Sequence, residues 1–184
     1  DTSQVVSMSF RFVAATSFTQ DIGNWSTGHV TNMTYMFYSA SAFNRAIGMW
    51  NMGSVANISN MFYSATSFNQ DLSTWSVGSV TNAVDMFRDS GIKVANYSKI
   101  LAGWGGQTLK AGVPWSSSGH PIPSRYAGQA AVTGRQAITN AGWTFTDLGP
   151  VQVTFNANGG TGTMPNQNAA PENTPLNLLN GRFS

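Results

Sequence analysis

The chain has 184 residues, of which only 9% are charged and 41% hydrophobic, with 11 Phe, 6 Trp and 8 Met. Nine Lys and Arg against seven Asp and Glu give a formal charge of +2, which excludes charge-rich disorder, and the lack of Cys excludes disulfide frameworks and thiolate metal sites. The basic residues are scattered from Arg11 to Arg182, so nucleic acid is not an expected partner, and no apolar run approaches the roughly 18–20 residues of a membrane span.

From the first residues onward the chain keeps a register of 25. Val5, Val30, Val55 and Val80 hold it, as do Phe12, Phe37, Phe62 and Phe87. So do Ala15, Ala40 and Ala65, Phe18, Phe43 and Phe68, and Trp25, Trp50 and Trp75. Ile22, Ile47 and Leu72, and Gly28, Gly53 and Gly78, complete the pattern. A unit this short cannot bury its own apolar side, so the copies are expected to stack as a solenoid. Columns that repeat are expected inside or at turns. Columns that vary are expected to face solvent or a partner: Gln20/Arg45/Gln70, Asp21/Ala46/Asp71, Asn24/Met49/Thr74 and Tyr35/Asn60/Asp85.

Within a copy, Val30, Met33, Met36, Phe37 and Ala40 are spaced like one face of a helix. Ser54 and Ser79 stand where they could cap the equivalent helices, after the turn glycines Gly53 and Gly78. The stretch from Phe43 to Trp50 reads as turns and a short strand. The expected fold is therefore α/β, with one short helix and one short parallel strand per copy. The tryptophan column is expected in the interior, the alternative being an exposed ladder that stacks on sugar rings.

Residues 30–50 read VTNMTYMFYSASAFNRAIGMW and residues 55–75 read VANISNMFYSATSFNQDLSTW. By these words the segment 5–90 resembles the BspA-type leucine-rich-repeat surface proteins of bacteria. The run there is close to V-T-N-M-x-x-M-F-x-x-A-x-x-F-N-x-D-I-x-x-W. The chain departs from it at Ala46, where Asp is usual, and at Thr19, where Asn is usual. The resemblance implies a right-handed leucine-rich-repeat-like solenoid on a cell surface, adhesion in some members, binding on the strand face, and no catalytic site.

After residue 90 the register is lost. Tyr97, Ile100, Leu101 and Trp104 predict an amphipathic helix ended by Gly105-Gly106. A Pro/Ser/Gly-rich loop follows over 112–124, then helical character over 124–141, with Gly142 at the end. Trp143 to Thr146 alternate as a strand. Residues 91–148 thus read as a C-terminal cap covering an otherwise open end of the 1–90 solenoid. Ile100-Leu101-Ala102-Gly103-Trp104 and Ala141-Gly142-Trp143-Thr144 also resemble the segment that follows such repeats in marine-type bacterial surface proteins. Residues 149–184 open with alternating Val151, Val153 and Phe155 and a turn at Asn158-Gly159-Gly160. From Val153 to Pro165 they resemble the first half of a Listeria–Bacteroides repeat, a small β-rich module. Its second half is absent, and the chain reads as a segment of a longer modular protein.

No constellation for catalysis emerges. His29 occupies a turn column shared with Ser54 and Ser79, and His120 lies in a Pro/Gly loop. Asp21 and Asp71, two coils apart at roughly 10 Å by strand spacing, fall in the range of an inverting glycosidase pair, but Ala46 stands between them and the expected role is turn capping. No phosphate-binding glycine motif or zinc signature is present. No cofactor and no metal site are expected. A flat threonine array of the ice-binding kind is set aside because Ala56 breaks the Thr31/Thr81 column.

The expected function is non-catalytic recognition at a bacterial surface or on an exported fibre, with a glycan or protein on another cell as partner. The alternatives are a structural spacer or oligomerisation element, with a second copy held through the coil ends or the tail, and a targeting module of an exported hydrolase. The first contact set is Arg45, Gln70, Asp71, Asn24, Met49 and Thr74, which flank the expected strand. The second is Tyr38, Tyr63 and Arg88, residue types favoured at binding hot spots.

Overall fold

A computed structural model describes residues 1–151. The 25-residue copies lie on one another as consecutive coils. Parallel bridges join Ser7 to Asn32, Asn32 to Asn57 and Asn57 to Asn82. From each bridge a ladder of amides runs to the next coil. Met33, Tyr35, Phe37 and Ser39 donate to the carbonyls of Asn57, Ser59, Met61 and Tyr63, all at 2.7–3.0 Å. Met8, Phe10, Phe12 and Ala14 do the same one coil earlier, and Ile58, Asn60, Phe62 and Ser64 one coil later.

This ladder occupies the segment where the spacing predicts a helix, and no α-helix forms there. Tyr35 and Ser39 have φ of +57° and +55°, and the equivalent positions in the other copies behave alike. A left-handed residue ends any i→i−4 run. What forms instead is a chain of tight turns, with Met36, Tyr38 and Ala40 donating to Met33, Tyr35 and Phe37. Successive turns of this length bring every third or fourth side chain to one side, which is why the pattern imitates a helix. The expected strand over 43–50 is likewise replaced by turns, Phe43 donating to Ala40 and Trp50 to Ile47. Inter-coil backbone pairing thus lies within 31–42, not on the segment assigned to the strand.

The 43–50 side is joined largely by side chains. The Trp50 indole donates to the Ile22 carbonyl and the Trp75 indole to the Ile47 carbonyl, both at 3.0 Å. Asn44 Oδ1 accepts from the Asn69 amide at 2.9 Å. Between the two sides lies the apolar interior. Phe37 stacks on Phe43 at 3.8 Å and Phe62 on Phe68 at 3.7 Å. The Phe12, Phe37, Phe62 and Phe87 rings follow one another at 5.4, 5.7 and 6.0 Å. Trp50 and Trp75 are buried, while Trp25 on the first coil is half-buried. The indole column lies inside.

Two α-helices are named among the described residues, α1 (Val94–Gly105) and α2 (Gln129–Asn140). Tyr97, Ile100, Leu101 and Trp104 form the buried stripe of α1. The helices touch at Gly105 and Gly134, where a Cβ on Gly134 would overlap the Leu101 carbonyl. The amides of Ala83 and Asp85, which a further coil would receive, donate to Pro114 and Trp115 at 3.0 Å. Pro114 in turn bridges Thr144, Ile122 bridges Asp147, and Tyr126 bridges Pro150. Apart from Val151, the alternating segment and turn assigned to the β-rich tail lie outside the described residues.

Candidate functional site

The coil surface carries a continuous run of ring side chains. Phe10, 60% exposed, stacks on Tyr35 with ring centroids 5.1 Å apart and planes 10° from parallel. Tyr35 tilts against Tyr38 at 5.3 Å. Tyr38 stacks on Tyr63 of the next coil at 4.7 Å. The Arg88 guanidinium, one coil further, lies 5.0 Å from the Tyr63 ring centre. Five side chains thus cross four coils in unbroken contact.

Backbone geometry makes the run possible. The columns 10/35 and 13/38/63/88 lie three residues apart, across the turn that the left-handed residue creates. Phe10 and Tyr35 themselves take φ of +61° and +57°, a conformation that bulky residues seldom adopt. The far end is fastened. Arg88 Nη1 lies 3.6 Å from Asp85 Oδ2, and its Nε lies 3.6 Å from Asp89 Oδ2. Asp85 is held by Ser117 of the cap, whose amide and hydroxyl donate to the two carboxylate oxygens at 2.8 and 2.9 Å. Arg88 Nε is buried without a hydrogen bond.

Tyr38, Tyr63 and Arg88, the second expected contact set, are therefore brought together. Phe10 and Tyr35 were missing from it. Tyr35 stood only among the varying columns, and the signal that joins it to the site is that Phe10 precedes it in that column.

The first expected set loses its rationale, because 43–50 does not pair as a strand. Most of its members are engaged in holding turns and coils. Arg45 Nε donates to the Thr19 carbonyl. Gln70 Nε2 donates to the Asn44 carbonyl and side chain at 2.9 and 2.7 Å. Thr74 Oγ1 donates to the Gly48 carbonyl at 2.8 Å. Asp71 caps a turn by accepting from the Ser73 amide at 3.0 Å and pairs with Lys99 at 3.0 Å. Burial raises its pKa, but the bonds from Ser73 and Lys99 outweigh burial and hold the carboxyl below its usual value. Asn24 and Met49 are exposed, Met49 at 89%. No hydrogen bond or ion pair joins this set to the ring run among the described residues.

Asp21 repeats the turn-capping role of Asp71, accepting from the Gly23 amide at 2.9 Å. His29 Nδ1 contacts the Ser3 carbonyl at 2.8 Å, so that nitrogen carries the proton and donates. Among the described residues, no three His, Cys, Asp or Glu residues are grouped to hold a metal ion, and no helix is long and apolar enough to cross a membrane.

Residues 1–100 match the family described as Mycoplasma protein of unknown function, DUF285. The chain belongs to this family. No curated protein and no solved structure matches it. The DUF285 segment takes in the four coils, all five residues of the ring run, and α1 as far as Ile100.

Proposed function

We propose that this DUF285 chain is a non-catalytic recognition module on a bacterial surface or exported fibre, binding a glycan or protein on another cell through the Phe10–Arg88 run. The finer likeness to BspA-type leucine-rich-repeat proteins, with a right-handed solenoid and an extracellular setting, belongs to the same reading. So does the likeness of the tail to a Listeria–Bacteroides repeat. The observation that carries it is the stacking of Phe10, Tyr35, Tyr38 and Tyr63 with Arg88 on the outside of the coils. Aromatic and arginine side chains give large contact area at low entropy cost. Here each ring is already ordered by its neighbour, which lowers the cost of binding. Low charge makes the contact depend on shape and hydrogen bonding more than on steering.

The test is binding of the full chain to a glycan array and to intact cells, beside a Tyr38→Ala/Tyr63→Ala variant. Both rings are only half-buried, so the fold is expected to survive. Loss of binding by about tenfold or more supports the reading. Undiminished binding by the variant, or no binding on either platform, overturns it.

A second reading has its own observation. Val6 at 58%, Val13 at 41% and Phe10 at 60% exposure gather large apolar side chains on the first coil. That favours assembly with a second copy, as in a structural spacer. A stable oligomer in light scattering, dispersed by Val6→Ser/Val13→Ser, together with no cell or glycan binding, selects this alternative.

A further inference from the structure

The cap contains a groove that borders the far end of the ring run at Ser117, the residue that holds Asp85. Its volume is about 520 Å³, and Arg135, Ser116, Thr144, Thr146, Phe145 and Trp143 line it. That volume lies inside the range of about 300–1,000 Å³ usual for small-ligand sites.

Arg135 on α2 is fixed with unusual care for a partly exposed residue. Its Nε donates to Asp147 Oδ2 at 2.9 Å. The Asp147 side chain is only 2% exposed and also accepts from the Tyr97 hydroxyl at 3.0 Å and the Gly149 amide at 3.1 Å. The guanidinium lies 5.0 Å from the Phe145 ring centre and 5.7 Å from that of Tyr126. Its two Nη groups have no hydrogen-bond partner among the described residues. The guanidinium is therefore held in place with donors left over.

Charge indicates what those donors receive. Asp147 cancels the charge of Arg135, and no other charged residue lines the groove. An isolated phosphate or carboxylate would meet a compensated pair. The remaining polar lining is hydroxyl. Thr144 and Thr146 are exposed, and the Ser116 hydroxyl accepts from the Thr146 amide at 2.9 Å and lies 3.5 Å from the Thr146 hydroxyl. Fixed donors without net charge, hydroxyls that donate and accept, and an apolar side given by the half-buried Phe145 match a neutral polyhydroxylated ring.

We propose that this groove binds a neutral sugar residue, with the Arg135 Nη groups and the Thr144 and Thr146 hydroxyls hydrogen-bonding to it. Arg135, Thr144 and Thr146 are not members of the Phe10–Arg88 run, and the test does not depend on that reading.

The experiment titrates the isotope-labelled full chain with galactose, N-acetylglucosamine and inorganic phosphate, following amide and indole resonances. A sugar is expected to move the signals of Ser116 and of residues 143–146 at about millimolar concentration. The shifts are expected to persist from about 0.05 to about 0.5 M sodium chloride, where a charge-driven contact would fade. Thr144→Ala/Thr146→Ala alters exposed side chains only and is expected to weaken binding about fivefold or more, two hydrogen bonds being lost. Arg135→Lys is expected to weaken it as well, whereas Tyr38→Ala/Tyr63→Ala leaves it unchanged. Failure of both sugars to move these signals overturns the proposal. So does a salt-sensitive response to phosphate alone, or sugar binding that the double threonine variant retains in full.

Discussion

The Trp104 indole donates to the Leu72 carbonyl at 2.9 Å, repeating from α1 the bond that Trp75 makes to Ile47 and Trp50 to Ile22. The cap therefore fills the tryptophan column of a coil that is not there, although the step from Trp75 to Trp104 is longer than 25 residues. Trp104→Phe keeps the ring and removes the donor, leaving the Leu72 carbonyl unpaired in a buried place. The expected loss is about 1–3 kcal/mol. Trp75→Ala also empties an interior position and is expected to cost about 3–5 kcal/mol. Urea unfolding midpoints compare the two, and a Trp104→Phe midpoint equal to that of the parent chain would refute the continuity of the column.

Gly134 sets the approach of the two helices. A side chain there would meet the Leu101 carbonyl and the Ala102 backbone, neither of which can turn aside. Gly134→Ala is expected to destabilise the protein by about 1–3 kcal/mol despite the better helix propensity of Ala. Circular dichroism during urea titration measures this. A stabilised variant would mean that α1 and α2 lie farther apart than described.

High pH is expected to weaken the cap. Tyr97 is buried and donates to Asp147. Burial first, and then the nearby carboxylate, push its pKa well above the usual phenol value. Burial raises that of Tyr126 too, although Arg135 opposes the change. The unfolded phenols ionise near pH 10 and the folded ones keep their protons, so above that pH the unfolded state binds fewer protons. The stabilisation is complete below about pH 10 and declines as the pH rises toward the folded values. Tyr97→Phe is expected to flatten this decline. Unfolding midpoints between about pH 8 and about pH 11 decide it, and equal slopes for the two proteins would contradict the assignment.

Ala14 offers a gain. It is exposed and has φ of +54°, a conformation that costs an L-residue about 1–2 kcal/mol. Ala14→Gly removes that strain, while the greater freedom of unfolded glycine returns about 0.5–1 kcal/mol of the advantage. A net gain of about 0–1.5 kcal/mol is expected. A higher melting temperature checks it, and a lower one would show that Ala14 is not left-handed in solution.

What could be read from residues alone follows from what stacking constrains. Phe37, Phe62, Trp50 and Trp75 sit in a shared interior, so each copy must supply a similar ring, and the column advertises itself. Tyr97, Ile100, Leu101 and Trp104 make a true α-helical stripe, so periodicity placed α1 well. Periodicity misled at Val30–Ala40 because tight turns with left-handed Tyr35 and Ser39 repeat almost as a helix does. Only later copies hint at the turns, through Asn60 and Asp85, residue types that tolerate that conformation. The ring run was half legible. Tyr38, Tyr63 and Arg88 share a column, but the contact of Tyr35 with Tyr38 joins two columns and depends on a φ that residue types do not reveal. The cap groove was not legible, because Arg135 and Asp147 meet across an otherwise irregular segment.

Pro114 and Trp115 receive the same amides, from Ala83 and Asp85, that any following coil would receive. The ending is therefore indifferent to how many coils precede it. In-frame duplication of one copy, residues 51–75, keeps the junctions into and out of that copy and adds one new contact, of the copy with itself, in the same 25-residue register. Length in such a chain can change by whole copies while the segment that receives the last amides stays as it is.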